Sequence, residues 1–394
     1  MRERGNTKLR WIDRRVAPVV VAGLAATRRA RPLPVRPASI AVMKSAAMGD
    51  MVLMSAVASD LRRAYPEVRL IAFGGRDNAA IARLMPEWDE VVEIRAAEPW
   101  SVVRQLRRHR VDLLLDFGPW TRTEAIYARL AGARAAVGFD TPGADRHRAY
   151  DLAVAHSAEC HELENYRSIL RAVGVEAFSE PHLVPVGRPP AVLDGLGDYA
   201  VLHPWPGGFG SQFREWPIER WEQLAAELAG EGHRLVVTGG AADAGRTRDL
   251  VARLGAVDTV ARLGAVDTVA RLGAVETAGR LGVGVGVVDT AGQLSLGELS
   301  HLLRASRVVV SVNTGVMHLA AALGAATVGL NGPTADRRWG PRGARVRSVN
   351  SPLPGCGYLH LGFEYEGRRT DCMLAITVPM VMEAVRDLAG EKAA

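Results

Sequence analysis

VVVSVNTGVMHLAAALGAATVGLNGPTADRRWGP, residues 308–341, reads as strand, turn, helix, strand and second turn. Four valines, Val308, Val309, Val310 and Val312, run into Asn313, Thr314 and Gly315, and an apolar helix carrying His318 follows at once. A helix that opens directly off a buried strand presents unpaired backbone NH groups and the positive end of its dipole, a natural seat for a phosphate. Thr314 and Gly315 stand at that opening, and His318 returns to the same face one turn later. The pattern suits a nucleotide diphosphate. It equally suits an ordinary buried βα unit in which His318 is a hydrogen-bonded core residue.

The downstream half adds a second turn. Residues 326–330 make another strand, and Asn331, Gly332, Pro333 and Thr334 follow it, ahead of Arg337, Arg338 and Trp339. Open α/β sheets bind ligands at turns on the carboxyl ends of neighbouring parallel strands, so Gly332 joins Asn313, Thr314, Gly315 and His318 as a candidate ligand-binding position. Two further stretches have the same punctuated character: IAVMKSAAMGDMVLM at 40–54 and HPWPGGFGSQFREWPIERW at 203–221.

Together these three stretches resemble glycosyltransferase family nine, the lipopolysaccharide heptosyltransferases and their relatives. The segment NTGVMHLAAALGAATVGLNGPT with RWGP behind it is similar to the family's donor-site signature. Residues 40–54 resemble its opening strand and Gly-Asp loop, and residues 203–221 the start of its second domain. The matches come in the family's order and cover about residues 38–390. The resemblance implies an α/β chain in the GT-B arrangement, two Rossmann-like domains facing each other across a cleft, with the acceptor on the first and the nucleotide sugar on the second. It also implies an ADP-linked sugar donor, ADP-heptose, a glycan or lipid-linked acceptor of the cell envelope, and inverting transfer.

Site residues follow from the same likeness. Asp50 matches the family's catalytic aspartate, a general base in a single displacement, with Met48 and Gly49 as an acceptor-side loop. From position alone Asp50 reads as a helix N-cap. Arg214 stands where the family generally has lysine; it keeps the charge for a diphosphate but changes its shape and reach, and by itself reads equally as a solvated loop arginine. Asn313 stands where Asp-Thr-Gly is more common, which removes a carboxylate from the donor turn. Asp243, after Thr238, Gly239 and Gly240, is a candidate for the nucleotide ribose. No Asp-x-Asp motif lies near a strand end and no histidine cluster has ligand spacing, so no metal and no cofactor is expected.

Composition narrows the alternatives. A chain of 394 residues with 48% hydrophobic and 23% charged residues is long enough for two ordinary soluble domains. Residues 1–36 hold ten Lys or Arg against Glu3 and Asp13, a local net of +8, so the rest of the chain sums to about −2. The basic character is therefore an appendage, which argues against nucleic acid as partner. Residues 1–37 read as a basic extension, either disordered or lying on an anionic membrane with Trp11 and the valines inserted. Cys160, Cys356 and Cys372 are too few and scattered for a disulfide scaffold. They read as thiols, with Cys356 and Cys372 unpaired, in a reducing compartment; the expected location is cytoplasmic, with peripheral contact at the inner face of the membrane.

Alternating strand and helix patterns extend over 38–187 and resume over 199–375, with a Pro/Gly-rich linker at 188–198 and a closing helix and tail at 376–394. The closing helix is expected to begin near Met373. Near-identical nonapeptides, VARLGAVDT twice and VARLGAVET once, with a degraded fourth copy, insert at 251–286. Nine residues of α-helix turn through about 900°, so successive copies present opposite faces and build no continuous apolar stripe. They read as slipped duplication lengthening a surface helix or loop. Two other functions fit parts of the pattern: a catalytically silent sugar-nucleotide binder, and a nicotinamide oxidoreductase, whose Gly-x-Gly-x-x-Gly is missing because residues 45–50 read SAAMGD.

Overall fold

Short runs of apolar residues, IAVM, LIAF and LLL, are too brief for helices and lack polar alternation, the signature of parallel strands covered on both faces. In the computed structural model, which describes residues 7–26, 31–208, 210–263, 286–361 and 369–390, they are such strands. The chain divides into two units, Met1–Val184 and Pro185–Ala394.

The first unit holds a six-stranded sheet of β1 (Ser39–Lys44), β2 (Arg69–Gly74), β3 (Glu90–Glu93), β4 (Leu113–Asp116), β5 (Ala135–Asp140) and β6 (Leu152–Ala155), in the order β3-β2-β1-β4-β5-β6. All neighbours are parallel, and β1 pairs with β2 on one side and β4 on the other. The order therefore reverses between β1 and β4. Ala41, Met43, Ile71, Phe73 and Leu114 pack one face into a core with α5 (Pro99–His109) and α6 (Arg122–Leu130). The opposite face buries Ile40, Val42, Leu70 and Leu113. The remaining helices of this unit are α1 (Thr7–Arg15), α2 (Ala17–Ala26), α3 (Met48–Ala64), α4 (Arg76–Ala82) and α7 (Glu162–Ala172).

The second unit repeats the plan. Strands β7 (Tyr199–His203), β8 (Arg234–Val237), β9 (Val287–Asp289), β10 (Val308–Val312), β11 (Thr327–Asn331) and β12 (Val346–Asn350) are ordered β12-β11-β10-β7-β8-β9, again all parallel, with the reversal between β7 and β10. Trp221, Leu224 and Leu228 of α8 (Ile218–Gly230) and Val381, Val385 and Leu388 of α13 (Val378–Gly390) pack against Val308, Val310 and Val328 of the sheet. Between them in sequence lie α9 (Ala244–Leu263), α10 (Leu296–Ala305), α11 (Gly315–Ala322) and α12 (Asp336–Trp339).

Two expectations change, and a third gains detail. The closing helix starts at Val378, five residues later than Met373, because Pro379 fits only the first turn, where its missing NH costs nothing. Cys356 and Cys372 form a disulfide, with Cα atoms 5.9 Å apart, and seal a small cluster with Tyr358 and Leu359. The cysteine count therefore no longer argues for a reducing compartment. Cys160 keeps its thiol, 3.6 Å from Asn165 Oδ1. The repeat segment enters α9, and Leu254 of its first copy is buried in the second core with Leu250 one turn earlier. That copy contributes to packing, while residues 264–285, most of the insertion, lie outside the described residues.

Close packing within the first sheet is visible at Gly138 in β5. A Cβ there would overlap the ring of the fully buried Tyr150, whose hydroxyl donates to Asp116 Oδ2 at 2.6 Å. Gly138→Ala should therefore lower the stability of the protein by about 1–3 kcal/mol, read as a reduced urea midpoint. A midpoint equal to wild type would show that Tyr150 is not held against this strand.

Candidate active site

Where a parallel sheet reverses its order, the two flanking crossovers leave on opposite faces and open a crevice at the strands' carboxyl ends. In the first unit that point is bounded by Lys44, the last residue of β1, and Asp116, the last of β4. Lys44 is 2% exposed, and its Nζ lies 2.5 Å from Asp50 Oδ2 and 6.0 Å from the centre of the Tyr166 ring. Helix α3 starts at Met48, so Met48, Gly49 and Asp50 form its first turn and not a free loop. The cap position is Ala47, so Asp50 is not the N-cap that its sequence position suggests. Burial raises the Asp50 pKa; Lys44 pulls it down and Glu162 adds to the rise.

Other charges line the same edge. Asp116 accepts from Arg146 Nη2 at 2.7 Å, and Arg146 also donates to the Gly118 carbonyl. Burial pushes Asp116 up to about 6 despite this partner. Ser45 Oγ bonds Glu124, and Glu162 receives His156 Nε2 at 3.2 Å and Asn165 Nδ2 at 3.1 Å. Sequence reasoning passed over Lys44, Asp116, Arg146 and Glu162. The available signal was a charge ending an apolar strand, IAVM before Lys44 and LLL before Asp116, since such charges are rarely buried without partners.

At the second reversal the Asn313 to Gly315 turn leaves β10. Thr314 caps α11, its hydroxyl accepting from Met317 N at 3.4 Å, and Gly315 is the first helical residue. His318 lies in the next turn and is buried, its backbone NH 3.4 Å from Thr314 O. The Asn313 amide donates to Asn331 Oδ1 at 2.8 Å and to the Trp339 carbonyl at 2.7 Å, tying the ends of β10, β11 and α12 together. Arg214, 5% exposed, donates from Nη1 to the Asn313 carbonyl at 2.6 Å and from Nη2 to the Gly207 carbonyl. Burial lowers its guanidinium to about 10, which leaves it charged at neutral pH. Arg214 is thus a buried cation bonded to the Asn313 turn, not a solvated loop residue.

Asn313, Thr314, Gly315, His318 and Arg214 are therefore brought together. Gly332 lies one strand over, after β11, in the wall of a pocket of about 260 Å³ with Thr334, Asp336, Arg337 and Ser351. A Cβ on Gly332 would strike Met373, so glycine there is also required by packing. Asp243 stands on the other side, past β8, where its carboxylate accepts from Gly240 N at 3.3 Å and closes its own turn. Between them His203, ending β7, bonds Thr238 Oγ1 at 2.8 Å, and burial lowers it to about 4, leaving it neutral.

The sequence model of glycosyltransferase family 9 (heptosyltransferase) matches residues 99–356, well over half of the chain. The chain belongs to glycosyltransferase family 9. Among solved structures, this family 9 glycosyltransferase is similar to the E. coli ADP-heptose lps heptosyltransferase II, at 19% identity and a TM-score of 0.65, over 89% of this chain and 98% of that one. It is also similar to the E. coli heptosyltransferase WaaC with ADP, at 18% identity and a TM-score of 0.67, over 89% and 100%. A family 9 glycosyl transferase from Veillonella parvula DSM 2008 is 16% identical, with a TM-score of 0.66, over 89% and 97%. At such identities the likeness establishes the two-domain fold. No curated protein matches the sequence. The span matched by the family begins after Asp50, so the argument for that carboxylate comes from its place in the first turn of α3, paired with Lys44 at the end of β1.

The hydrogen bonds explain why asparagine suits position 313. A carboxylate there would face the Trp339 carbonyl with no proton to offer, two acceptors in a buried space. Asn313→Asp should destabilise the protein by about 1–3 kcal/mol, measured by thermal or urea unfolding. An aspartate variant as stable as wild type would show that the amide bridge contributes nothing.

Proposed function

We propose that this family 9 glycosyltransferase moves a heptose-like sugar from a nucleotide diphosphate donor, ADP-linked as in the titles of its structural neighbours, to a hydroxyl of a cell-envelope glycan or related acceptor. The transfer inverts the anomeric centre and uses no metal. The observation that carries this reading is the Lys44–Asp50 ion pair at the reversal point of the first sheet, a base of raised pKa held in a fixed position.

In this mechanism Asp50 takes the proton of the acceptor hydroxyl while the oxygen attacks the anomeric carbon. The bond from that carbon to the diphosphate oxygen breaks in the same step. The departing charge falls on the opening turn of α11, where the NH groups of Gly315 and Val316 and the helix dipole offer positive potential. Arg214 adds a fixed cation beneath that turn through its bond to the Asn313 carbonyl. Gly332 and the pocket after β11 suit the sugar side of the donor. The reaction requires that the acceptor held by the first unit and the donor held by the second meet at one place.

Lys44 has two effects on the base. It orients the carboxylate and keeps it ionised against the cost of burial. Asp50→Asn should lower the transfer rate by about 10²–10⁴-fold with donor affinity unchanged in calorimetry with ADP. Full activity in that variant would remove Asp50 from the chemistry. Because the base works ionised, the rate rises as pH passes upward through its pKa, and Lys44 holds that pKa down. In Lys44→Gln the acid limb of kcat/KM should therefore move to higher pH, and Lys44→Arg should restore part of the shift. An acid limb unmoved in Lys44→Gln would mean that Asp50 is not the group titrating there.

A further inference from the structure

Helices α1 and α2 run on almost without a break, with Val16 N bonded to Ile12 O at 2.8 Å and Val20 N to Val16 O at 3.3 Å. Pro18 is tolerated because it sits in the first turn of α2. Residues 13, 17 and 21 follow one another at a spacing of four and share one face. That face is docked. Asp13 Oδ1 accepts both the backbone NH and the hydroxyl of Thr123, each at 2.8 Å, at the start of α6. Ala17 and Val21 are 2% and 1% exposed.

The opposite face is exposed and mostly apolar, with Arg15 set among its apolar side chains. Trp11 is 61% exposed and Val19 72%, with Ile12, Val16 and Val20 also exposed beside them, Arg15 between Trp11 and Val19 at the same spacing of four, and Arg14 at the flank. A docked helix that turns its apolar side outward is the reverse of an ordinary surface helix. We infer that this face binds an anionic lipid bilayer, with Trp11, Ile12, Val16 and Val19 entering the headgroup boundary and the arginines pairing with lipid phosphates. Val21, by contrast with the sequence expectation, faces the protein.

Charge selects this occupant. Residues 1–36 carry a net of +8 while the rest of the chain is about −2, so an anionic surface attracts this end and repels the remainder. Apolar insertion and basic attraction together supply the two signals that stable peripheral binding needs. A second copy is disfavoured, since an isologous contact through this face would set the same basic side chains against each other. Nucleic acid would leave the apolar face without use. No described helix is long and apolar enough to cross a membrane, so the contact is one of lying on the surface. Because the helix is already packed against α6, binding need not first order it.

The test uses the full chain and does not depend on the transferase reading. Wild type should co-sediment with vesicles containing phosphatidylglycerol and not with pure phosphatidylcholine, and 0.5 M salt should weaken the binding. Changing Trp11→Ser and Val19→Ser together should reduce vesicle affinity by about tenfold or more. Both side chains are exposed, so the thermal midpoint should stay at the wild-type value. Asp13→Ala should loosen the helix from α6, seen as faster proteolysis before residue 31, without removing the apolar face. Wild type that fails to sediment with anionic vesicles overturns the proposal. So does a double variant that binds as well as wild type, which would reduce the contact to charge alone. Concentration-dependent dimerisation lost in the double variant, without vesicle binding, would assign the face to a second copy.

Discussion

Every strand in both sheets is parallel to its neighbours, so every connection must cross a face and return to the same end before the next strand begins. Right-handed crossovers then allow a growing sheet to reverse direction only by switching the face its helices cover. Each unit makes that switch once, between β1 and β4 and between β7 and β10. At the switch no helix covers the carboxyl ends of the strands, and the residues that finish β1, β4, β7 and β10 meet there. Lys44, Asp116, His203 and Asn313 occupy these ends or the next position.

The first unit handles this point with charge. Lys44, Asp116 and Arg146 are almost fully buried, a placement that is unfavourable unless each charge has a close partner and further hydrogen bonds. Partners are present at each: Asp50 for Lys44, Arg146 and Tyr150 for Asp116, His156 and Asn165 for Glu162. Removing one member leaves another buried charge uncompensated. Such a strip keeps its geometry because any rearrangement exposes the same penalty, a rigidity from which the base proposed at Asp50 would benefit.

The second unit handles its point with neutral bridges and one cation. Asn313 and Arg214 touch: the arginine donates to the backbone carbonyl of the asparagine. The asparagine side chain in turn donates to β11 and to the end of α12. In the fold the two residues form one brace that fixes the Thr314–Gly315 turn and leaves a positive charge beneath it.

The amino-acid order alone determined the α/β class, five of the six strand runs on each side of a Pro/Gly-rich break, the helix start at Thr314 and Gly315, and the family; the outer strands Leu152–Ala155 and Val346–Asn350 emerged only in the fold. The features legible in the order are local properties: the length of an apolar run, a capping hydroxyl, a glycine after a strand. What it left open depended on which residues meet across long separations. The Lys44–Asp50 pair joins a strand end to a helix turn, and neither local pattern carries a sign of the other. Asp116 with Arg146 and Cys356 with Cys372 join segments whose distance no local pattern encodes. The N-terminal extension makes the same point: its composition announced a basic, apolar segment, but only docking through Asp13, Ala17 and Val21 decided which side faces outward, because packing against α6 selects one face of a helix that by sequence is apolar nearly all round.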